Sequence, residues 1–206
     1  MELNDYYYVL ANFDSSDLNL VKKFYYEKIN PKHKSAKNQN QKPTIKISYF
    51  SIDDCFNDDS KYLLEKYPML GNDCLIQETE PGESPGTHID GSVSEDPSKQ
   101  DPQRLSSIIF PIIGTCFESP TLFYGKYSNF ESVYVEKLYS TFLKHRPQNL
   151  DPIAQVSIVD KPVLINTKAW HNVWNNSSQK RLVFSWSCGL GIDFLKARQM
   201  LLDKGY

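Results

Sequence analysis

The sequence predicts a mainly β fold, an antiparallel barrel of two sheets with helices packed outside it. Short apolar or alternating runs of strand length fill the middle of the chain, whereas helical spacing of apolar residues occurs mostly near its two ends. A doubly wound α/β fold would need strands and helices to alternate regularly, and they do not. One domain is expected over 1–206, with 1–70 as helical and strand support, 72–190 as the barrel core and 191–206 as a terminal helix.

The predicted strands are rich in β-branched and aromatic residues and lie between Gly, Pro, Asn or Asp. The run LSSIIFPII is almost continuously apolar and indicates a buried strand, whereas RLVFSWS alternates clearly. The predicted strands are residues 6–10, 44–50, 74–78, 105–113, 121–124, 153–159, 163–165 and 181–187.

Helices are predicted where apolar residues recur at helical spacing, in two cases behind a residue that can cap a helix. Ser15 or Ser16 can cap the first, and Asp53 or Asp54 can cap the second, which stops before Pro68. The predicted helices are residues 15–25, 53–67, 133–143 and 192–202.

Polar stretches that contain proline or glycine are predicted to connect these elements. Asp160-Lys161-Pro162 is predicted to be the turn of a hairpin. The stretch 125–150 matches no pattern of a known site, and a lid or a substrate-selecting loop is the hypothesis for it. The predicted loops are residues 31–43, 80–87 and 91–103.

Composition narrows the classes of function. The 206 residues are 40% hydrophobic and 13% aromatic, which argues against a disordered chain. Non-specific nucleic-acid binding depends on a basic excess, and the net charge of −2 gives it no support. The basic segment 32–46 nevertheless leaves a nucleic-acid partner open.

Cysteine usage and hydropathy indicate the compartment. The four cysteines form no C-x-x-C pair and are predicted to be buried free thiols. The sequence has no secretory signal and no apolar run of membrane-spanning length. A soluble, cytoplasmic protein without a membrane partner is therefore expected, and its oligomeric state is left open.

The chain has four histidines, and two of them stand in sequence suited to metal binding. His33 and His145 lie in basic, polar surroundings and are predicted to be surface residues. His88 and Asp90, in PGTHIDG, follow a Pro/Gly turn, and residues two apart in an extended segment point to the same side. His171, in PVLINTKAWHNVWN, follows an apolar strand.

Two imidazoles and one carboxylate on one face of an ion are the ligand set of non-haem Fe(II) oxygenases. The opposite face of the ion then stays open for a cosubstrate and O₂. Each residue also has an ordinary interpretation: His88 in a turn, Asp90 as a cap and His171 as a core histidine beside a tryptophan.

Arg181 begins the next strand, ten residues after His171. A 2-oxoglutarate molecule that chelates a metal through its 2-oxo group and C1 carboxylate projects its C5 carboxylate deep into a barrel. A buried carboxylate is costly without a charged partner, and the planar fork of an arginine can bind it bidentately. An ordinary ion pair of Arg181 with Glu78 or Glu80 is the alternative.

The segments PGTHIDG, RLSSIIFPI, PVLINTKAWHNVWN and KRLVFSW resemble the Fe(II)/2-oxoglutarate-dependent oxygenase superfamily. The nearest resemblance is to small microbial and phage proteins related to proline hydroxylases and aspartyl/asparaginyl hydroxylases, over roughly residues 72–190. It implies a double-stranded β-helix (jelly-roll, cupin-like) core, Fe(II) held by His88, Asp90 and His171, and 2-oxoglutarate anchored by Arg181. It also implies consumption of O₂ and hydroxylation of an unactivated C–H bond, with succinate and CO₂ as coproducts; a carboxylate among the ligands favours hydroxylation over halogenation.

The chain departs from the family at the anchor, because many members have Arg-x-Ser and this chain has Arg-Leu-Val. A second hydrogen bond to the same carboxylate is then expected from another hydroxyl. The predicted candidates are Ser185, Ser107 and Tyr124.

The substrate is predicted to be a small molecule, a free amino acid or a peptide side chain, with a nucleobase as an alternative. Arg104 and Trp174 are the candidates for contact with the substrate. The alternatives are an ordinary salt bridge for Arg104 and core packing for Trp174. The alternative to an enzyme is a non-catalytic cupin-like protein that binds a metal or a ligand. Cupin isomerases usually have more ligand histidines than this chain offers.

Overall fold

The computed structural model describes residues 5–35, 45–90, 105–125, 131–135, 140–144 and 151–206 and confirms the predicted fold class. Within these ranges the strands form two six-stranded antiparallel sheets. The strands are β1 (Tyr7–Val9), β2 (Ile45–Ser51), β3 (Leu70–Thr79), β4 (His88–Asp90), β5 (Ser106–Ile113), β6 (Thr121–Phe123), β7 (Ser132–Val135), β8 (Ser140–Leu143), β9 (Ala154–Val156), β10 (Val163–Asn166), β11 (His171–Val173) and β12 (Arg181–Cys188).

The two sheets face each other across the barrel. The major sheet has the order β1-β10-β5-β12-β3-β2, and the minor sheet has the order β7-β8-β4-β11-β6-β9. Strands β1 and β2, from the predicted support segment 1–70, thus extend the major sheet on both sides.

Helices cover the outer face of the major sheet. In α1, for example, the ring of Phe24 stacks with its centroid 6.0 Å from that of Trp186 in β12. No helix in the described ranges has the length and apolar character that a membrane crossing requires. The helical elements are α1 (Ser15–Phe24), a π-helical turn (Tyr25–Ile29), α2 (Asn30–Ser35), a 3₁₀ turn (Ile52–Cys55), α3 (Asp58–Lys66) and α4 (Phe194–Asp203).

Strand β12 lies inside the major sheet and is buried along its whole length. On one face, Phe184 and Trp186 pack in the core under the helices. On the other face, Val183 packs against the minor sheet. A strand covered on both sides is expected to be apolar throughout, which makes Arg181 at its start an exception.

The helix predicted over 133–143 is wrong. Strands β7 and β8 occupy the described part of this stretch, and Val133 pairs with Phe142 across them. Its β-branched and aromatic side chains are restricted at χ1 and fit the pleated surface of a sheet better than a helix. Part of the stretch 125–150 therefore belongs to the barrel wall; 126–130, 136–139 and 145–150, including His145, lie outside the described residues.

Two predicted connections also differ. Asp160-Lys161-Pro162 is not a hairpin turn, because β9 belongs to the minor sheet and β10 to the major sheet, so the segment crosses between sheets. The start of the predicted loop 31–43 is helical, since α2 runs on from the π-helical turn past Pro31. A π-helical turn rearranges the carbonyls that a proline ring would otherwise meet in a regular helix.

His33 is buried, although a surface position was predicted. Its Nδ1 lies 2.9 Å from the Ser48 hydroxyl and its Nε2 lies 3.6 Å from a Glu78 carboxylate oxygen. The imidazole thereby fastens α2 to β2 and β3. His33, and after it Lys180 and Lys46, hold the pKa of the Glu78 carboxyl below its ordinary value against the opposing effect of burial.

We expect Glu78→Gln to lower the free energy of unfolding at neutral pH by on the order of 1 kcal/mol, the worth of a buried charged contact. Because the pKa of Glu78 is lower in the folded than in the unfolded chain, this stabilisation is present above the unfolded-state pKa. It is lost as the pH falls through the folded-state pKa. Chemical denaturation at decreasing pH should therefore show the variant and the wild type converging.

Glu80→Gln is the matched control. Its carboxylate is more exposed and contacts Lys180 at 2.8 Å, so its removal should change the stability by less than about 0.5 kcal/mol. A difference between Glu78→Gln and wild type that stays constant from neutral to acid pH would contradict the assignment.

Candidate metal centre

Adjacent strands of the minor sheet bring the three predicted ligands together. His88 in β4 and His171 in β11 are direct partners in an antiparallel pair, so both side chains leave the same face of the sheet. Their ring centroids are 4.3 Å apart, and His88 Nε2 lies 4.0 Å from Asp90 Oδ1. In the described part of the chain, these residues are the only group of three potential ligands whose ligand atoms lie within 4.8 Å of one another.

A hydrogen bond to a backbone carbonyl orients each of the two imidazoles. Nδ1 of His88 lies 2.8 Å from the carbonyl oxygen of Gly86, and Nδ1 of His171 lies 2.9 Å from that of Ala169. A carbonyl oxygen only accepts, so each Nδ1 carries a proton and donates it. This contact favours the tautomer with its lone pair on Nε2, which is the tautomer a metal ligand needs.

The connection between β10 and β11 fixes Asp90 as well as delivering His171. The backbone N–H of Asp90 donates to the carbonyl of Thr167 at 2.9 Å, and its carbonyl accepts from Lys168 Nζ at 3.0 Å. The Ser140 hydroxyl in β8 donates to the Asp90 carboxylate at 3.3 Å. The backbone of Asp90 is thus held by the β10–β11 connection, and its carboxylate is held by Ser140 of β8.

Arg181 is buried in the wall of the same cavity that the triad lines. Its Nε and Nη1 have no hydrogen-bond partner in the structure. Burial lowers the pKa of Arg181 to about 10, so the guanidinium still carries its charge at neutral pH. Glu78 and Glu80, the alternative partners, pair with Lys180 instead.

Two residues beside Arg181 were missed by sequence reasoning. Thr79 is its direct partner across β3 and β12, is fully buried and shares its face. The Thr79 hydroxyl accepts from Gln77 Nε2 at 3.2 Å, so its own hydrogen can still be donated. Alternation in β3 places Thr79 and Gln77 on one face, but only the strand register shows that this face meets Arg181.

Ser185 and Ser107 lie farther along the strands from Arg181. Ser185 lines the cavity, but it is four residues from Arg181 in β12, which is about 13 Å of strand. Ser107 in β5 is the partner of Ser187, farther still from Arg181. The cavity therefore has a cationic end at Arg181 and a hydroxyl end at Ser185, and Ser107 lies beyond Ser185 on the same inner face.

The remaining predicted site residues have separate positions. Tyr124 is buried just beyond β6, and its N–H donates to the carbonyl of Trp170. Trp174 lines a separate surface pocket together with Asn172, on the outward side of β11. Arg104 lies outside the described residues.

Phe142 is a further residue that sequence reasoning missed. It is the direct partner of His88 across β4 and β8, and its ring stacks 5.0 Å from the imidazole. The ring lines the cavity beside the ligand and shields one side of it from water. The helix predicted over this segment concealed the alternation that places Phe142 on the inner face.

No family model matches the sequence, and no curated protein is detectably similar to it. Among solved structures, a prolyl-4-hydroxylase from Pseudomonas putida matches with a TM-score of 0.53 at 14% identity, over 91% of this chain and 94% of that chain. The chain shares its overall fold with this solved structure. The predicted double-stranded β-helix of the Fe(II)/2-oxoglutarate oxygenases is thus confirmed as the fold of this chain.

A second match is a prolyl hydroxylase from Trichoplax adhaerens, solved in complex with a peptide fragment of the hypoxia inducible factor oxygen degradation domain. It matches with a TM-score of 0.48 at 13% identity, over 96% of this chain and 87% of that chain.

Because Lys168 holds the backbone of a ligand residue, we expect Lys168→Met to weaken binding of Co(II), a spectroscopic substitute for Fe(II), by about tenfold. Lys168→Arg should restore part of that affinity. The dissociation constant from a visible-absorption titration is the measurement. Lys144→Met is the control, since Lys144 pairs with Glu131 on the surface at 3.1 Å. Equal Co(II) affinity in Lys168→Met and wild type would rule out this positioning role.

Proposed function

We propose that the protein is an Fe(II)- and 2-oxoglutarate-dependent dioxygenase that hydroxylates an unactivated C–H bond. The observation that carries the proposal is the presence of two complementary groups in one cavity. One is the His88, Asp90 and His171 cluster, and the other is the buried Arg181 with unpartnered N–H groups.

His88, Asp90 and His171 would hold Fe(II). Two imidazole nitrogens and one carboxylate suit this ion, and three ligands on one face leave the other positions to a cosubstrate and O₂. The Nδ1 contacts support this assignment, because they present both Nε2 lone pairs without a rearrangement of protons.

Arg181 would hold the C5 carboxylate of 2-oxoglutarate. An unpaired cation inside a protein is costly, and a bound carboxylate offsets that cost while accepting from the guanidinium fork. Thr79 is placed to add a hydroxyl hydrogen bond, and Gln77 steadies it. This assignment prefers Thr79 to Ser185 and Ser107, which lie farther along the strands, and to Tyr124, which follows β6 in the other sheet.

When bound, iron and 2-oxoglutarate with O₂ supply an oxidant strong enough for an unactivated C–H bond, and succinate and CO₂ are released. The chain itself orients the metal ligands, offsets the charge of the C5 carboxylate and keeps water away from the metal. Phe142 beside His88, and Ile109 and Val183 on the major sheet, give the cavity walls that perform this last task.

The substrate class proposed is a small molecule, an amino acid or a peptide side chain. The similar solved structure from Pseudomonas putida is a prolyl-4-hydroxylase by name, so prolyl compounds belong in the first screen. Succinate release in the presence of candidate amino acids, peptides and nucleic acids tests this class. Release coupled to a nucleic acid alone would replace it by the nucleobase alternative.

The cofactor assignment has a spectroscopic test. We expect wild-type protein with Fe(II) and 2-oxoglutarate, without oxygen, to give a weak visible charge-transfer band. His171→Ala should abolish the band, because the chelate needs all three ligands. Absence of the band in wild type, or its persistence in His171→Ala, would count against the proposal and favour a non-catalytic binding protein.

Arg181→Met tests the anchor separately. We expect the dissociation constant of 2-oxoglutarate, from titration of the band, to rise at least about thirtyfold, as when one partner of a buried charge pair is lost. The ligand-free variant should not be less stable, since it no longer buries an unpaired cation. Lys180→Met, one residue earlier and exposed, should leave the dissociation constant unchanged. Similar 2-oxoglutarate affinity in both variants would refute the anchor.

A further inference from the structure

Three serines lie together on the inner face of the major sheet, and one of them, Ser185, lines the cavity. Ser185 and Ser187 alternate along β12 and so share the inward face with Arg181, and Ser107 in β5 is the direct partner of Ser187. The exposed fractions of these three side chains are 3%, 2% and 0%. Hydroxyls gathered on the inner face of a barrel are unusual, because a core strand normally presents apolar groups there.

The Ser107 hydroxyl is buried and has no hydrogen-bond partner in the structure. Most buried polar groups in proteins are paired, and an unpaired one calls for an explanation such as a bound ligand. The neighbouring Ser106, by contrast, has a hydrogen-bond partner. Ser106 points to the other face and donates to the carbonyl of Ile192 at 3.0 Å, as a structural hydroxyl does.

Asp90 of the metal cluster lies toward the same end of the barrel as these serines. Asp90 bonds to the carbonyl of Thr167, which directly follows the strand residue paired with Ser106. The other end of the minor sheet is marked by Asn175, whose amide donates to the carbonyl of Thr79, the partner of Arg181. A cosubstrate anchored at Arg181 would therefore leave the hydroxyl end for a different molecule.

The chemistry of the hydroxyl end selects an uncharged group. A serine hydroxyl both donates and accepts, and it carries no charge with which to offset a buried ion. Ile109 and Ile165, the cavity-lining partners of Ser185 and Ser107, add apolar surface. Lys168, at the same end, donates to the carbonyl of Asp90.

We propose that Ser107, with Ser185 and Ser187, binds an uncharged amide of the substrate and thereby presents the adjoining aliphatic C–H bonds to the metal. An amide offers a carbonyl acceptor and an N–H donor together, which matches a set of hydroxyls. The inference rests on the proposed function, and it narrows the substrate from amino acids in general to molecules in which the amine and carboxylate are blocked.

The test compares leucine and proline with a free, charged amine and carboxylate against the same residues with both groups blocked as uncharged amides. Wild-type protein is saturated with Fe(II) and 2-oxoglutarate without oxygen, and N-acetyl-leucinamide, N-acetyl-prolinamide, free leucine and free proline are titrated while the charge-transfer band is recorded. The blocked amides should perturb the band with dissociation constants at least about tenfold lower than the free amino acids. Isobutyramide, a small carboxamide, distinguishes a carboxamide metabolite from a peptide as the substrate. Weaker binding of isobutyramide than of the blocked amides would indicate a peptide.

Ser107→Ala supplies the residue-specific test. The affinity of the blocked amides should fall about tenfold, the effect of one lost hydrogen bond, while the melting temperature should not decrease, because the hydroxyl has no partner in the free protein. Ser106→Ala is the matched control and should behave oppositely, with a lower melting temperature and unchanged amide affinity. If Ser107→Ala lowers the melting temperature and leaves the amide affinity unchanged, the hydroxyl is structural and the inference fails.

The other outcomes are also decisive. Tighter binding of the free amino acids, or no response of a normal band to any amide up to its solubility limit, overturns this inference and leaves the proposed function standing. Absence of the band before any amide is added is a failure of the proposed function itself.

Discussion

A positive charge buried without a partner is the constraint on which the arrangement of this barrel depends. Arg181 begins a strand that is covered on both faces, and its guanidinium reaches the interior with two N–H groups unpaired. Such a charge is tolerated only where the surrounding fold is strong enough to hold it. Strand β12 meets that condition, because it is paired on both sides, with β3 and β5, and packs under the helices through Phe184 and Trp186.

The cluster of His88, Asp90 and His171 is held together by shorter-range contacts. Each histidine is oriented by a carbonyl two residues earlier in its own chain segment, so the tautomer is fixed locally, before any ion binds. Asp90 is different, because its backbone is held by Thr167 and Lys168 from a distant part of the sequence. The site thus combines local orientation of the imidazoles with tertiary positioning of the carboxylate, and all three residues line the cavity that Arg181 also lines.

Much of the candidate site could be predicted from the sequence. His88 and Asp90 are two residues apart in an extended segment, and alternation alone places them on one side. His171 and Arg181 are ten residues apart with a turn between them, which predicts a metal ligand and an anchor on consecutive strands. The two strands are not neighbours, because β11 lies in the minor sheet and β12 in the major sheet. Thr79 and Phe142 could not be predicted, because their proximity to Arg181 and His88 depends on the register of strands that are distant in sequence. The burial of His33 was missed for the same reason, since Ser48 and Glu78 come from two other strands.

The sequence by itself determined the mainly β class, the inward face of the central strands and the residue types available for chemistry, because these follow from periodicity and side-chain chemistry. The tertiary structure decided which strands are neighbours. It turned residues 133–143 from a predicted helix into barrel wall, and it separated β9 and β10 into different sheets. It also placed Arg181 and Ser185 at opposite ends of one cavity. Antiparallel pairing fixes such positions through hydrogen bonds between distant segments, and no local pattern in the chain records them.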